Sequence, residues 1–139
     1  MSQEIDYNKP ALAALQWNAE GLIPAIVQAA DSERVLMFAW MNEEALQASI
    51  RSGNAVYWSR SRQRLWQKGE ESGHSQRILE LRTDCDGDVL LLRVEQVGGI
   101  ACHTGRGSCF FNVLDDAEGE LRWLARDPVL IDPSEIYRK

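Results

Sequence analysis

Between Asp84 and Cys109 the chain gathers all three of its cysteines, one of its two histidines and an alternating run of aspartates. The stretch reads Asp84-Cys85-Asp86-Gly87-Asp88, then an apolar run, then Gly98-Gly99-Ile100-Ala101-Cys102-His103-Thr104-Gly105-Arg106-Gly107-Ser108-Cys109. Thiolates favour a borderline-soft ion such as zinc, whereas grouped carboxylates favour a hard ion such as magnesium or calcium. The simplest reading is two different metal sites close together. In extended backbone Asp84, Asp86 and Asp88 project to one side and Cys85 to the other, so one strand end could serve both. A calcium loop does not fit, because the position that needs a sharp-turn glycine is Val89. A solvated acidic turn is the plain alternative.

Cys102 and Cys109 are too far apart in sequence for a zinc finger, and neither a fourth thiolate nor a paired histidine completes a closed structural site. Three thiolates leave one coordination position open, the arrangement of catalytic zinc, whose bound water ionises near neutral pH. Buried, inert cysteine is the alternative. His103 stands beside a candidate ligand and suits either ligation or proton transfer, and His74 lies in a Gly/Ser loop. The basic stretch Arg60 to Lys68, which includes Arg62 and Arg64, is a candidate phosphate site, and Trp58 and Trp66 could stack on a base as well as fill a core.

The surrounding chain sets limits on this chemistry. Its 139 residues fit one domain, able to bury roughly 70% of the surface the unfolded form exposes. With 45% hydrophobic and 26% charged residues it has the composition of a folded protein. An odd number of cysteines and the lack of an export signal or a long apolar run argue against a disulfide framework or a membrane segment, so a cytoplasmic location is expected. The net charge of -6 argues against a nucleic-acid surface.

Several elements must position the candidate residues. Leu12, Leu15 and Trp17 could lay one helical turn against the body. Leu22 to Ala29 and Arg34 to Met41 read as paired strands; Asn42 as an N-cap for a helix from Glu43 to about Arg51, with Ala45, Leu46, Ser49 and Ile50 on one face and Gly53 as its stop. Ala55 to Ser59 resumes strand character, and residues 69–74 form a loop. Gln76 to Thr83 and Val89 to Val97 are the clearest strands, with the aspartates at their hairpin end. Phe110 to Leu114 and Leu121 to Leu124 form a last hairpin through Asp115 to Gly119. The expected class is α+β, mainly antiparallel: a curved sheet or small open barrel with one or two covering helices.

Three separate motifs, Trp66-Gln67-Lys68-Gly69-Glu70-Glu71-Ser72-Gly73-His74, Asp84-Cys85-Asp86-Gly87-Asp88 and Cys102-His103-Thr104-Gly105-Arg106-Gly107-Ser108-Cys109-Phe110, occur in the order found in the phosphoribosyl-AMP cyclohydrolases of histidine biosynthesis, which the chain resembles over about residues 20 to 115. The resemblance implies hydrolysis of the N1–C6 bond of the adenine ring of N1-(5-phosphoribosyl)-AMP by zinc-bound hydroxide. It implies Cys85, Cys102 and Cys109 as zinc ligands shared between the subunits of an intertwined homodimer, and Asp84, Asp86 and Asp88 as magnesium ligands. His103 or His74 would move protons. Trp66, Lys68, Glu71, Ser72, Arg60, Arg62 and Arg106 are expected at the small nucleotide substrate. The chain has no room for the pyrophosphohydrolase domain to which many members are fused, so a single cyclohydrolase domain is expected. A zinc nucleobase deaminase would need a His-x-Glu and Pro-Cys-x-x-Cys pattern that is absent. A non-catalytic zinc-dependent dimerisation module would explain the thiols but not the aspartates.

Overall fold

Two long apolar strands form the centre of the core. In the computed structural model, which describes residues 9–116 and 119–136, β1 (Leu22–Ala29) and β2 (Val35–Asn42) form the expected antiparallel hairpin. Ile23, Ala25 and Val27 of β1 point inward with no exposed surface, and Met41 of β2 is equally buried. Ahead of them a short helix, α1 (Lys9–Ala13), lays Leu12 on the core, with Leu15 and Trp17 packed behind it.

Asn42 ends β2 and caps α2 (Glu43–Ser52), its side chain accepting a hydrogen bond from the Ala45 amide at 2.8 Å, and Gly53 closes the helix in the left-handed conformation. Ala45, Leu46 and Ser49 are buried, but Ile50 is exposed. That expectation fails because this short helix covers the sheet with a narrow stripe, and Ile50 falls at its rim. Ser49 fixes the helix to the next strand: its hydroxyl reaches the Ala45 and Val56 carbonyls and accepts from the Val56 amide.

The remaining strands are β3 (Val56–Ser59), β4 (Arg64–Gln67), β5 (Gln76–Thr83) and β6 (Leu90–Gln96). Together with the first hairpin they make a curved six-stranded sheet in the order β4-β3-β2-β1-β6-β5. Every pairing is antiparallel except β1 with β6, which run parallel from Ala25↔Leu90 to Ala29↔Val94. β4 was not expected as a strand, since its ends, Arg64 and Gln67, are exposed and its two apolar residues are adjacent rather than alternating. The last hairpin pairs β7 (Asn112–Asp115) with β8 (Arg122–Ala125) as a separate two-stranded sheet. It starts two residues later than expected because the Phe110 amide is held by the Ser108 hydroxyl at 3.0 Å. Of the residues expected to form its turn, Ala117 and Glu118 lie outside the described residues. A short C-terminal helix, α3 (Pro133–Ile136), buries Ile136. No helix among the described residues is long and apolar enough to cross a membrane.

The sheet curls until its edge strand β5 meets the segment leading into β3. Asn54 bridges to Arg77, the Ala55 amide donates to the Gln76 carbonyl at 2.9 Å and the Ile78 amide to the Gly53 carbonyl at 2.8 Å. Inside this closure the buried Tyr57 hydroxyl donates to Gln76 Oε1 at 2.5 Å, and Gln76 Nε2 donates to Gln96 Oε1 at 2.8 Å. Burial holds the Tyr57 phenol protonated, far above its usual range.

Because this pair satisfies polar groups that water cannot reach, Tyr57→Phe is expected to destabilise the fold by about 1–3 kcal/mol, and Gln76→Leu by a similar amount. The double variant should lose less than the sum, since it removes both ends of the bond. Urea unfolding of the four proteins measures the coupling; strict additivity would contradict it.

Candidate functional site

The thiol loop begins where β6 ends. A single 3-10 turn at Val97–Gly99 redirects the chain, with Gly98 at φ 79. A Cβ at Gly98 would stand 2.5 Å from Cδ2 of His74, so glycine there lets the imidazole lie against the turn. Ile100, Ala101 and Cys102 are then buried. The Cys102 amide donates to the Arg106 carbonyl at 3.1 Å and the Gly105 amide to the Cys102 carbonyl at 3.0 Å, folding the loop back on itself. Its far end is tied to the start of β2, where the buried Ser108 hydroxyl donates to the Val35 carbonyl at 2.8 Å and the Cys109 amide to the Leu36 carbonyl at 2.7 Å.

This folding brings the Cys102 and Cys109 thiols together. Although Cys109 is exposed as a residue, partial withdrawal of its thiol from water pushes it up to about 12, helped by the charge and hydrogen bond of Cys102 and opposed by the Lys68 ammonium. Thr104 Oγ1 donates to Cys102 Sγ at 3.1 Å. The donor set suits a thiophilic dication, which would relieve the repulsion between two thiolates. His103 is exposed beside Cys102, and His74 is half-buried.

The aspartates gather for a different reason from the one expected. Asp84 to Asp88 is a turn rather than extended backbone, in which the Gly87 amide donates to the Asp84 carbonyl and the Asp88 amide to Asp84 Oδ1. The turn, not strand alternation, draws ligand atoms of Asp84, Asp86 and Asp88 to within 4.8 Å of one another, all on exposed residues. The Gln16 amide closes over it, donating to the Gly87 carbonyl at 2.7 Å. The neighbouring Asp84 carboxyl, through its side-chain interaction and its charge, raises the pKa of Asp88. Partial desolvation pulls Asp84 upward, but the Asp88 amide and side chain, followed by the Gly87 and Val89 amides, outweigh it and leave its pKa lowered. Such crowding of oxygen donors fits a hard divalent cation.

The two donor sets are not neighbours within one chain. The aspartate turn precedes β6 and the thiol loop follows it, so the seven residues of that strand, at about 3.3 Å each, hold them roughly 20 Å apart. Cys85, exposed in the aspartate turn, therefore does not join Cys102 and Cys109 in the same chain, and within one chain the two candidate donor sets lie at opposite ends of β6.

At the thiol end lies a cleft of about 360 Å³ lined by Ser59, Arg62, Trp66, Gln67, Lys68, Gly69, Glu70, Glu71 and Ser72. It collects five of the seven residues expected at a substrate: Arg62, Trp66, Lys68, Glu71 and Ser72. Arg60 lies in an adjoining hollow, its guanidinium 4.7 Å from the centre of the Trp40 ring. Arg106 turns away, donating to the Asp127 carbonyl at 3.0 Å and covering the Phe111 ring at 4.0 Å. Sequence reasoning passed over Gln76 and Gln96, which steady the loop behind the cleft. Gln96 Nε2 donates to the His74 carbonyl at 3.0 Å and the Ser75 carbonyl at 3.2 Å. Their signal was strand parity, since Gln96 shares the inward face of Leu92 and Val94.

Residues 37–111 match the family model described as phosphoribosyl-AMP cyclohydrolase. A protein of Dechloromonas aromatica (strain RCB) bearing that name is 62% identical over 135 residues, covering 97% of this chain and 98% of its own. Namesakes from Nitrosomonas europaea and Bordetella avium (strain 197N) are 58% identical over 128 residues and 56% identical over 138, covering 92% and 99% of this chain and 96% and 100% of theirs. With its thiol loop, aspartate turn and cleft all inside segments shared at this level, the chain belongs to the phosphoribosyl-AMP cyclohydrolase family.

Proposed function

We propose that the protein hydrolyses the N1–C6 bond of the adenine ring of N1-(5-phosphoribosyl)-AMP in histidine biosynthesis, in the cytoplasm. The observation that carries this reading is the convergence of the thiol pair, Lys68 and the cleft at one end of the sheet, in a chain 56–62% identical to proteins of that name.

In the reaction a water oxygen bonds to C6 as the C6–N1 bond breaks. C6 becomes a carboxamide carbonyl, and N1 keeps the electron pair and takes up a proton. Trp66, half-buried beside Tyr57 with its ring centre 5.1 Å away, offers a rigid face to the base. Arg62 brings positive charge to the phosphates, and Ser72 and Glu71 supply polar contacts on the same wall. His103 or His74 takes the proton from the attacking water and delivers it toward N1. Cys85, Cys102 and Cys109 would hold zinc, and Asp84, Asp86 and Asp88 magnesium. The zinc would supply Lewis-acid activation of water near neutral pH.

A homodimer accounts for the distance between the donor sets: Cys85 of one copy completes the thiol pair of the other. The β7–β8 hairpin supports this. Leu121 and Trp123 are 73% and 67% exposed and Leu114, paired with Trp123, about half, an apolar face on a two-stranded sheet that is marginal alone.

Turnover of phosphoribosyl-AMP, followed by ultraviolet absorbance, should vanish on chelation and return with zinc; Cys102→Ser or Cys109→Ser should lose zinc and activity together. A serine variant with full zinc and normal turnover refutes the assignment. Asp86→Asn should keep its zinc while needing more magnesium, since a lost carboxylate weakens only a hard-ion site; loss of zinc with unchanged magnesium dependence is the contrary result. Reassociating Cys85→Ser with Cys109→Ser chains should recover up to about half the activity per dimer, because one composite site then has all its native ligands. Verified hybrids without activity would argue against shared sites.

A further inference from the structure

Lys68 does more in this structure than line a cleft. Its amide donates to the Ala55 carbonyl at 3.0 Å, which anchors the residue where β4 ends. Its side chain then crosses to a segment 33 residues away, where Nζ donates to the Ala101 carbonyl at 2.6 Å. Ala101 is buried and immediately precedes Cys102. The ammonium lies 5.9 Å from the centre of the Trp66 ring, so one side chain spans the cleft wall and the thiol loop.

The charge of this ammonium lacks the usual partner. Among the described residues Lys68 forms no ion pair, and Glu70, two residues on, is taken by Arg64 at 2.6 Å. Burial lowers its pKa, while the Cys109 and Cys102 thiolates act in the opposite direction. A half-buried cation needs compensating negative charge. The groups able to supply it are the Cys102 and Cys109 sulfurs, once a metal holds them as thiolates.

We infer that Lys68 is a positioning residue of the thiol centre: it ties the Cys102 loop to the cleft wall through Ala101 and offsets the negative charge of the thiolates when they hold a metal. The inference rests on the proposed metal-binding role of those cysteines. Two thiolates and a third from the partner exceed the charge of one divalent ion by one, and Lys68 is placed to balance the excess without ligating. Its hold on Ala101 also makes the cleft floor and the ligand loop one rigid piece, so that substrate and metal keep a fixed relation.

Cobalt(II) separates this role from simple substrate contact, because its thiolate charge-transfer absorption reports the ligand set without turnover. Metal affinity is measured by chelator competition on the intact protein, with kcat and KM determined at saturating metal. Lys68→Met should bind cobalt about 10–100-fold more weakly, as expected for loss of a residue that orients and tunes the ligands, and Lys68→Arg should recover most of that loss. The inference is overturned if Lys68→Met keeps wild-type cobalt affinity and only KM rises. If the wild-type protein itself shows no thiolate-to-cobalt absorption, the metal centre falls and this inference with it, a result distinct from an unaffected Lys68→Met. Should the methionine variant fail to fold, Lys68→Gln, which keeps a donor for Ala101 without the charge, takes its place with the same expected loss and the same overturning result.

Discussion

Tyr57 and Gln76 meet in the interior where β5 closes on the segment leading into β3, and much of the architecture depends on that contact being satisfied. Gln76 has no exposed surface, yet it carries an amide that must find partners. It accepts from Tyr57, donates to Gln96 and passes Nε2 close to the Met37 sulfur at 3.3 Å. Gln96 in turn holds the carbonyls of His74 and Ser75. The polar line thus runs from β3 through β5 and β6 to the loop behind the cleft. An apolar core of the same volume could close the sheet, but it would not specify where that loop sits.

A second consequence of the curled sheet is the distribution of chemistry between its ends. β6 leads from the oxygen-donor turn to the sulfur-donor loop, and its pairing with β1 makes it a stiff spacer. The thiol loop is anchored by main-chain and hydroxyl bonds to β2 and by Lys68 to β4, with little secondary structure of its own. The aspartate turn leans on the segment after α1 through Gln16. Both donor sets are therefore built on loops whose positions are fixed from outside. This lets the donor atoms of each set approach one another without a regular element crowding them.

Much of this was legible in residue patterns. The apolar runs of β1 and β2, the alternation in β5 and β6, and the Asn42 and Gly53 caps of α2 are local signals, and local physics decides them. β4 escaped because an edge strand with exposed Arg64 and Gln67 buries too little to leave a pattern. The aspartates were grouped correctly by type, but their backbone was misjudged: the Asp84 side chain and carbonyl fold the segment into a turn, which alternation cannot reveal. Arg106, expected at the substrate from the resemblance, binds the segment after β8 in this structure, a nonlocal contact that no spacing announces. The distance between Cys85 and the other thiols is likewise a property of the whole sheet, invisible until β6 has a direction.

The parallel pairing of β1 with β6 also shapes how the chain acquires its structure. β1 meets β2 through a tight turn, but its other edge pairs with residues 65 positions later, as at Ala25↔Leu90. During synthesis the first hairpin can form early, leaving a long apolar strand with one row of unpaired backbone groups until β6 emerges. The intervening α2, β3, β4 and β5 must be made in that interval. For a nascent chain this is the period of greatest exposure to wrong partners, including the same edge on another copy. Pro24 lies in β1 and the basic Arg34 follows its hairpin turn, and these are modest obstacles to such pairing. The order of emergence from the ribosome thus makes β6 both the bridge between the two donor sets and the late strand that ends the sheet's vulnerability to aggregation.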